Sequence, residues 1–168
     1  MARHYPQSTF VEYDINETAI TAARTEAVDY GLSNASFETL DVARLPAQPP
    51  CDAAFAFDAI HDQVDPAGML SRVHAALRPG GVFLMVDIKA SSDLAHKLDS
   101  PFAPWLYSVS TLHCLTVSLA HGGAGLGTVW GQELARQMLA DAGFVDIEIH
   151  DVPDDPFNCM YVAHKPGS

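Results

Sequence analysis

Four aspartates stand where β-forming runs end in this 168-residue chain: Asp14, Asp41, Asp58 and Asp87. His61 and Asp62 follow Asp58 closely, and Lys89 follows Asp87. In open α/β sheets ligands bind beyond the carboxyl ends of the strands, so these positions are where chemistry is expected. A carboxylate offers two acceptor oxygens to paired donors, and a histidine titrates close to neutral pH. His113, Cys114 and His121 form a second cluster of ligand-type side chains. They lack the spacing of a zinc site and have no nearby carboxylate to complete a set, so no metal is expected.

The elements that must position these residues alternate between strand and helix. Residues 8–13 (STFVEY) read as a strand. Asn16 is a suitable N-cap, after which Ile20, Ala23, Ala27 and Tyr30 share one helical face, and Gly31 ends the helix. Residues 35–40 read as a second strand. Residues 51–57 (CDAAFAF) are short and apolar, as a buried parallel strand should be. Asp65 and Pro66 open the next helix, whose stripe is Met69, Leu70, Val73 and Leu77. Pro79-Gly80-Gly81 ends it, and residues 82–88 (VFLMVDI) form the strongest strand signal. Residues 92–128 contain helix interrupted by Pro101 and Pro104, then a glycine-rich loop. A helix over about 131–142 and two strands near 145–150 and 160–164 complete the order, the last two as an antiparallel pair joined through 152–156. This is an α/β, Rossmann-like fold with a mostly parallel sheet and a C-terminal antiparallel hairpin.

Composition narrows the function. Hydrophobic residues make up 48% of a length suited to one domain, 1–168. The net charge is −12, with nine Lys and Arg scattered along the chain. No basic stripe exists for nucleic acid or an anionic membrane, so neither partner is expected. No apolar run reaches 18 residues and the N-terminus has no signal core, which points to the cytoplasm. Three distant cysteines fit a reducing compartment.

Five segments in order carry a family resemblance: YDIN at 13–16, LDVARLP at 40–46, CDAAFAFDAIHDQ at 51–63, LRPGGVFLMVDI at 77–88 and MLADAGFVDIEIHDVP at 138–153. Together they resemble the class I S-adenosylmethionine-dependent methyltransferases. DAIHDQ and SLAHGGAGLGTVWG further resemble a bacterial small-molecule subgroup. The resemblance implies S-adenosylmethionine as cofactor and a small-molecule methyl acceptor. It implies that Asp14, with Ile15 beside it, holds the ribose hydroxyls. It places Asp41 and the backbone N–H of Val42 at the adenine, and Asp58 near the methionine end. His61, with Asp58, would be catalytic: His61 serves as a general base if the acceptor carries a proton, or else packs beneath the cofactor and orients Asp58 or a carbonyl. Trp105, Tyr107 and Trp130 line an acceptor pocket or belong to the core.

The family's domain normally opens with a strand and a GxGxG loop, and nothing before Ser8 matches them. The first strand of the sheet is therefore expected to be missing, which leaves two unpaired edges inside it. A homo-oligomer is one way to cover them. Gly123-Ala-Gly125-Leu-Gly127 has the loop's spacing, follows a β-rich run at 115–119, and reads as a lid or pocket loop rather than as the cofactor loop of a permuted domain. The alternatives to an enzyme are a pseudo-enzyme or an interaction module that keeps the sheet. A nicotinamide-dependent oxidoreductase shares the topology but fits the PGG-strand and the hairpin less well.

Overall fold

The structure is a computed structural model, and it describes residues 1–45, 50–98 and 100–167. Pro46, the last residue of the LDVARLP segment, lies outside the described residues. The chain divides into two compact units, Met1–Pro46 and Ala47–Ser168.

In the smaller unit β1 (Phe10–Asp14) pairs in parallel with β2 (Ala35–Thr39), in a register running from Phe10 opposite Ala35 to Asp14 opposite Thr39. α1 (Glu17–Asp29) makes the crossover. Asn16 caps it as expected: its side-chain oxygen accepts from the N–H groups of Thr18 (2.9 Å) and Ala19 (3.2 Å). Ile20 and Ala27 are buried on the helix, whereas Tyr30 lies at its C-cap and is 55% exposed, outside the face predicted for it. Arg24 donates twice to the carbonyl of Phe37, and Asn34 donates to the carbonyls of Ala2, Tyr5 and Ser8. These bonds satisfy backbone acceptors in β2 and in the segment that precedes β1.

The larger unit is built on a four-stranded sheet in the order β3 (Cys51–Phe57), β4 (Leu77–Ile88), β6 (Asp155–His164), β5 (Val145–Val152). β3 and β4 are parallel, and β6 runs antiparallel to both β4 and β5. The predicted hairpin is present but longer than expected: its turn is reduced to Pro153 and Asp154, with Asp154 at φ +62°. β4 also begins earlier than the sequence suggested. Leu77 already pairs with Cys51, and the ladder resumes at Val82 opposite Ala53. Residues 78–81 form a bulge between them. A Cβ on Gly81 would lie 2.9 Å from the Arg78 carbonyl and 3.2 Å from that of Asp52, so the PGG run is needed for close approach rather than only for ending a helix.

The core lies on one face of this sheet. Phe83 and Met85 of β4, and Cys159, Tyr161 and Ala163 of β6, pack with Leu70 and Val73 of α2 (Pro66–Ala76) and Ala135 and Leu139 of α6 (Gln132–Asp141). Asp65 caps α2 through the N–H of Gly68, with Pro66 in its first turn. Phe83 stacks on Phe144 with ring centroids 5.5 Å apart. Between β4 and α6 run α3 (Leu94–Leu98), α4 (Ala103–Val109), a π-helical turn (Ser110–Cys114) and α5 (Leu115–Ala120). The run at 115–119 is helix despite its β-rich composition, within the 92–128 stretch expected to contain helix. No described helix is long and apolar enough to cross a membrane.

Among the described residues β1 pairs on one side only, with β2, and β3 on one side only, with β4. These are the two edges that the sequence left without a partner. Within the larger unit, Leu70→Ala removes a fully buried side chain. It should lower stability by about 2–5 kcal/mol, read as a shift in the midpoint of urea denaturation.

Candidate functional site

In the smaller unit the two candidate aspartates stand at the carboxyl ends of the parallel strands. Asp14 is the last residue of β1, and its Oδ1 accepts from the N–H of Asn16 at 2.7 Å. Its Oδ2 has no partner among the described residues. Ile15 is 74% exposed beside it. Asp41 follows β2 and caps a 3-10 turn (Val42–Arg44), accepting from the N–H of Ala43 at 2.9 Å. Its other oxygen is 3.8 Å from Arg44 Nε, a solvent-exposed pair of small energetic weight. Val42 opens that turn, where an N–H has no acceptor within the helix.

The larger unit holds the other candidates. Asp58 directly follows β3 at φ +47°, a left-handed conformation that aspartate tolerates better than most residues. Its N–H donates to the Val86 carbonyl, so the bend is fixed by β4. Burial raises the Asp58 pKa, the charge of Asp87 adds to this, and His61 opposes it.

His61 is 3% exposed and lies against Asp87, which is wholly buried. Its Nδ1 donates to Asp87 Oδ1 at 2.7 Å. The same oxygen accepts from Trp130 Nε1 at 3.1 Å and from the N–H of Ile88 at 2.8 Å. Asp87 Oδ2 is buried with no hydrogen-bond partner. Asp87 Oδ1, by accepting from Nδ1, fixes the tautomer of the ring. Burial pulls the His61 pKa down, but the Asp87 hydrogen bond and the charges of Asp87, Asp62 and Asp58 outweigh it, so the net shift is upward. On the far side, His61 Nε2 is 3.2 Å from Asp62 Oδ1, and the Asp62 side chain is 31% exposed.

Sequence reasoning noticed Asp87 but put it beyond a strand. It lies inside β4, with its side chain on the core face beside Met85. The signal was present as the one charged residue in VFLMVDI. Trp130 was weighed as pocket wall or core, and it is core with its indole N–H spent on Asp87. Tyr107 is half-buried, and Trp105 is 55% exposed against Phe157.

The His113, Cys114 and His121 cluster does not converge. Cys114 is buried, while His113 and His121 are exposed. Cys114 instead joins His61 and Asp62, the three offering ligand atoms within 4.8 Å of one another. Cys114 Sγ accepts from Thr128 Oγ1 at 2.9 Å.

The glycine-rich segment has a packing reason. A Cβ on Gly123 would lie 2.5 Å from Ser118 Oγ and 2.6 Å from Val64 Cα, and Gly127, at φ +68°, faces Ser110 Oγ at an impossible distance for a side chain. Ser110 and Ser118 accept from the N–H groups of Thr128 and Gly125. The loop therefore follows a helix and is laid against it, which removes the reading of a cofactor loop after a strand.

A family model described as a methyltransferase domain matches residues 1–151. No protein of curated function matches the chain in sequence. Among solved structures, an O-methyltransferase family protein from Burkholderia thailandensis is 17% identical with a TM-score of 0.75, over 99% of this chain and 46% of that one. The S-adenosylmethionine-dependent methyltransferase SibL is 20% identical with a TM-score of 0.70, over 98% and 46%. Human N-acetylserotonin methyltransferase, solved with S-adenosylmethionine, is 19% identical with a TM-score of 0.64, over 98% and 43%. At these identities the likeness is one of fold, and the chain spans less than half the length of these three.

Asp87→Asn tests the buried pair. A histidine whose folded pKa exceeds its unfolded value of about 6.5 stabilises the protein fully below that value, and the contribution is lost as pH rises through the folded pKa. Asp87→Asn removes the main upward influences and leaves burial. The His61 ring should then titrate at lower pH by NMR, and the stability lost on raising pH through the wild-type His61 pKa should disappear. An unchanged titration would remove the assignment of that shift to Asp87.

Proposed function

The chain belongs to the methyltransferase domain family, and from that premise we propose that its protein transfers a methyl group from S-adenosylmethionine to a small-molecule acceptor. The observation that carries this reading is a carboxylate at the carboxyl end of a strand in each unit: Asp14 on β1 and Asp41 past β2 in the smaller, Asp58 past β3 in the larger. That is where such sheets bind ligands. The residues fit the cofactor within each unit. Asp14 has an unpartnered Oδ2 for ribose hydroxyls, Val42 has an N–H without a helical acceptor for an adenine nitrogen, and Asp41 can receive the adenine amino group. Asp58 is exposed at the strand end, where the methionine portion would lie.

When bound, the cofactor supplies an electrophilic methyl on a sulfonium sulfur. The chain's own residues hold the reactants in line, which is a large part of the catalysis of a displacement. His61 takes the proton lost by an oxygen or nitrogen acceptor at Nε2, and Asp87 stabilises the imidazolium that results. Asp62 Oδ1, 3.2 Å from Nε2, stands where it can pair with that imidazolium on its other side.

A second reading, an interaction module without catalysis, is favoured by the single-sided pairing of β1 and β3, since open strand edges recruit other strands. A calorimetric titration with S-adenosylmethionine separates the two. Micromolar binding supports the enzyme; a folded chain that binds no cofactor and forms a stable oligomer supports the module.

Further outcomes follow for the enzyme. Asp14→Ala should abolish cofactor binding, and unchanged affinity would remove the ribose role. His61→Ala should slow turnover by roughly 10²–10⁴-fold while the cofactor Kd stays within a few-fold. A base must be deprotonated to act, so the raised pKa of His61 places the acidic limb of the kcat profile above the ordinary histidine range. A loss confined to cofactor affinity would make His61 a packing residue.

A further inference from the structure

Lysine occurs three times in the chain, and two of the three, Lys89 and Lys97, line one cavity of about 220 Å³ in the larger unit. Lys89 is the residue after β4, so the cavity opens at the carboxyl end of that strand. Its floor is apolar: Ala103 and Leu106 of α4, and Val129, all buried. Tyr107 and Gln132 add a hydroxyl and an amide to its wall. Among the described residues no aspartate or glutamate lines it, although acidic residues outnumber Lys and Arg by 21 to 9 in the chain.

The charges in the wall are not equally available. Lys89 Nζ already pairs with Asp151 at 2.5 Å. His96 Nδ1 is 3.9 Å from Asp93. Lys97 Nζ lies 5.7 Å from the centroid of the Tyr107 ring and has no carboxylate within ion-pair distance among the described residues. An aromatic face positions an ammonium without neutralising it. Lys97 is therefore a held positive charge beside an apolar floor, unpaired among the described residues. The volume is below the roughly 300–1,000 Å³ of drug-sized sites, which limits a ligand to about a single ring.

We propose that this cavity binds a small single-ring carboxylate, its anionic group on Lys97 and its ring on Ala103, Leu106 and Val129. As an identification of the methyl-acceptor class this rests on the methyl-transfer reading; as a binding site it does not. Specificity comes from the charge, because a neutral isostere leaves the ammonium desolvated and unpaired.

The test uses the full chain with 4-hydroxybenzoate and its neutral counterpart 4-hydroxybenzamide, each titrated by two-dimensional amide NMR. The acid should bind at least about tenfold more tightly, with shifts at Lys97, Leu106 and Val129. Lys97→Gln should erase the preference for the acid, and Lys97→Arg should retain it. Equal affinity for acid and amide, or binding of neither by the folded chain, would overturn the proposal. So would a preference that survives Lys97→Gln. A parallel titration with S-adenosylmethionine keeps the two readings apart. Selective acid binding without cofactor binding defeats methyl transfer and leaves this site standing, whereas cofactor binding without acid selectivity does the reverse.

Discussion

A carboxylate with no exposed surface stands in the central region of the four-stranded sheet, and it collects three donors on a single oxygen. An ionised group in such a place is tolerated only when it is paired and hydrogen-bonded. Asp87 meets that requirement through side chains from distant parts of the chain: His61 from the segment after β3, Trp130 from the segment before α6, and its own neighbour Ile88 from the backbone. Each donor satisfies the carboxylate and is itself immobilised by it. The ring of His61 thereby acquires one tautomer and one orientation, and the loop carrying Trp130 acquires a fixed end against the sheet.

That fixed end explains the irregular stretch before it. The segment 123–128 must run from the end of α5 back to Trp130 in contact with the helix it has just left. It does so by presenting N–H groups to Ser110 and Ser118 and by placing glycine where a Cβ would collide with Ser118, Ser110 or Val64. The π-helical turn at Ser110–Cys114 lies on the same path. A π turn is uncommon and often marks a functional site. Here it coincides with the buried Cys114, whose thiol comes next to Asp62 and His61.

The succession of strands and helices along the chain, the capped helices α1 and α2 and the final hairpin were legible in the sequence because each rests on local chemistry: a cap at Asn16 or Asp65, a β-rich run, a chain reversal at Pro153. Less legible were features decided by tertiary contact. Residues 115–119 are β-rich in type and helical in fact, because the helical face places Ser118 against Gln63 and Gly125. Gly81 looked like a helix stop and serves a bulge against Asp52. The role of Asp87 required knowing what it faces. Position after a strand singled out Asp14, Asp41 and Asp58 correctly as strand-end residues, but no spacing rule joins His61 to Asp87 or Trp130.

Charge sets a condition on anything this chain binds. A net charge of −12 raises the local concentration of cations and depletes anions near the surface. On the proposed reading the cofactor arrives with a sulfonium charge and leaves without it, so the carboxylates at the strand ends favour the reactant over the product. An anionic acceptor faces the opposite field. It can be held only where the chain departs locally from its own composition, with cations in the wall and carboxylates kept out. Among the described residues the cavity under Lys97 is such a departure, and Asp151, which pairs with Lys89 from outside the lining, leaves Lys97 as its unpaired ammonium.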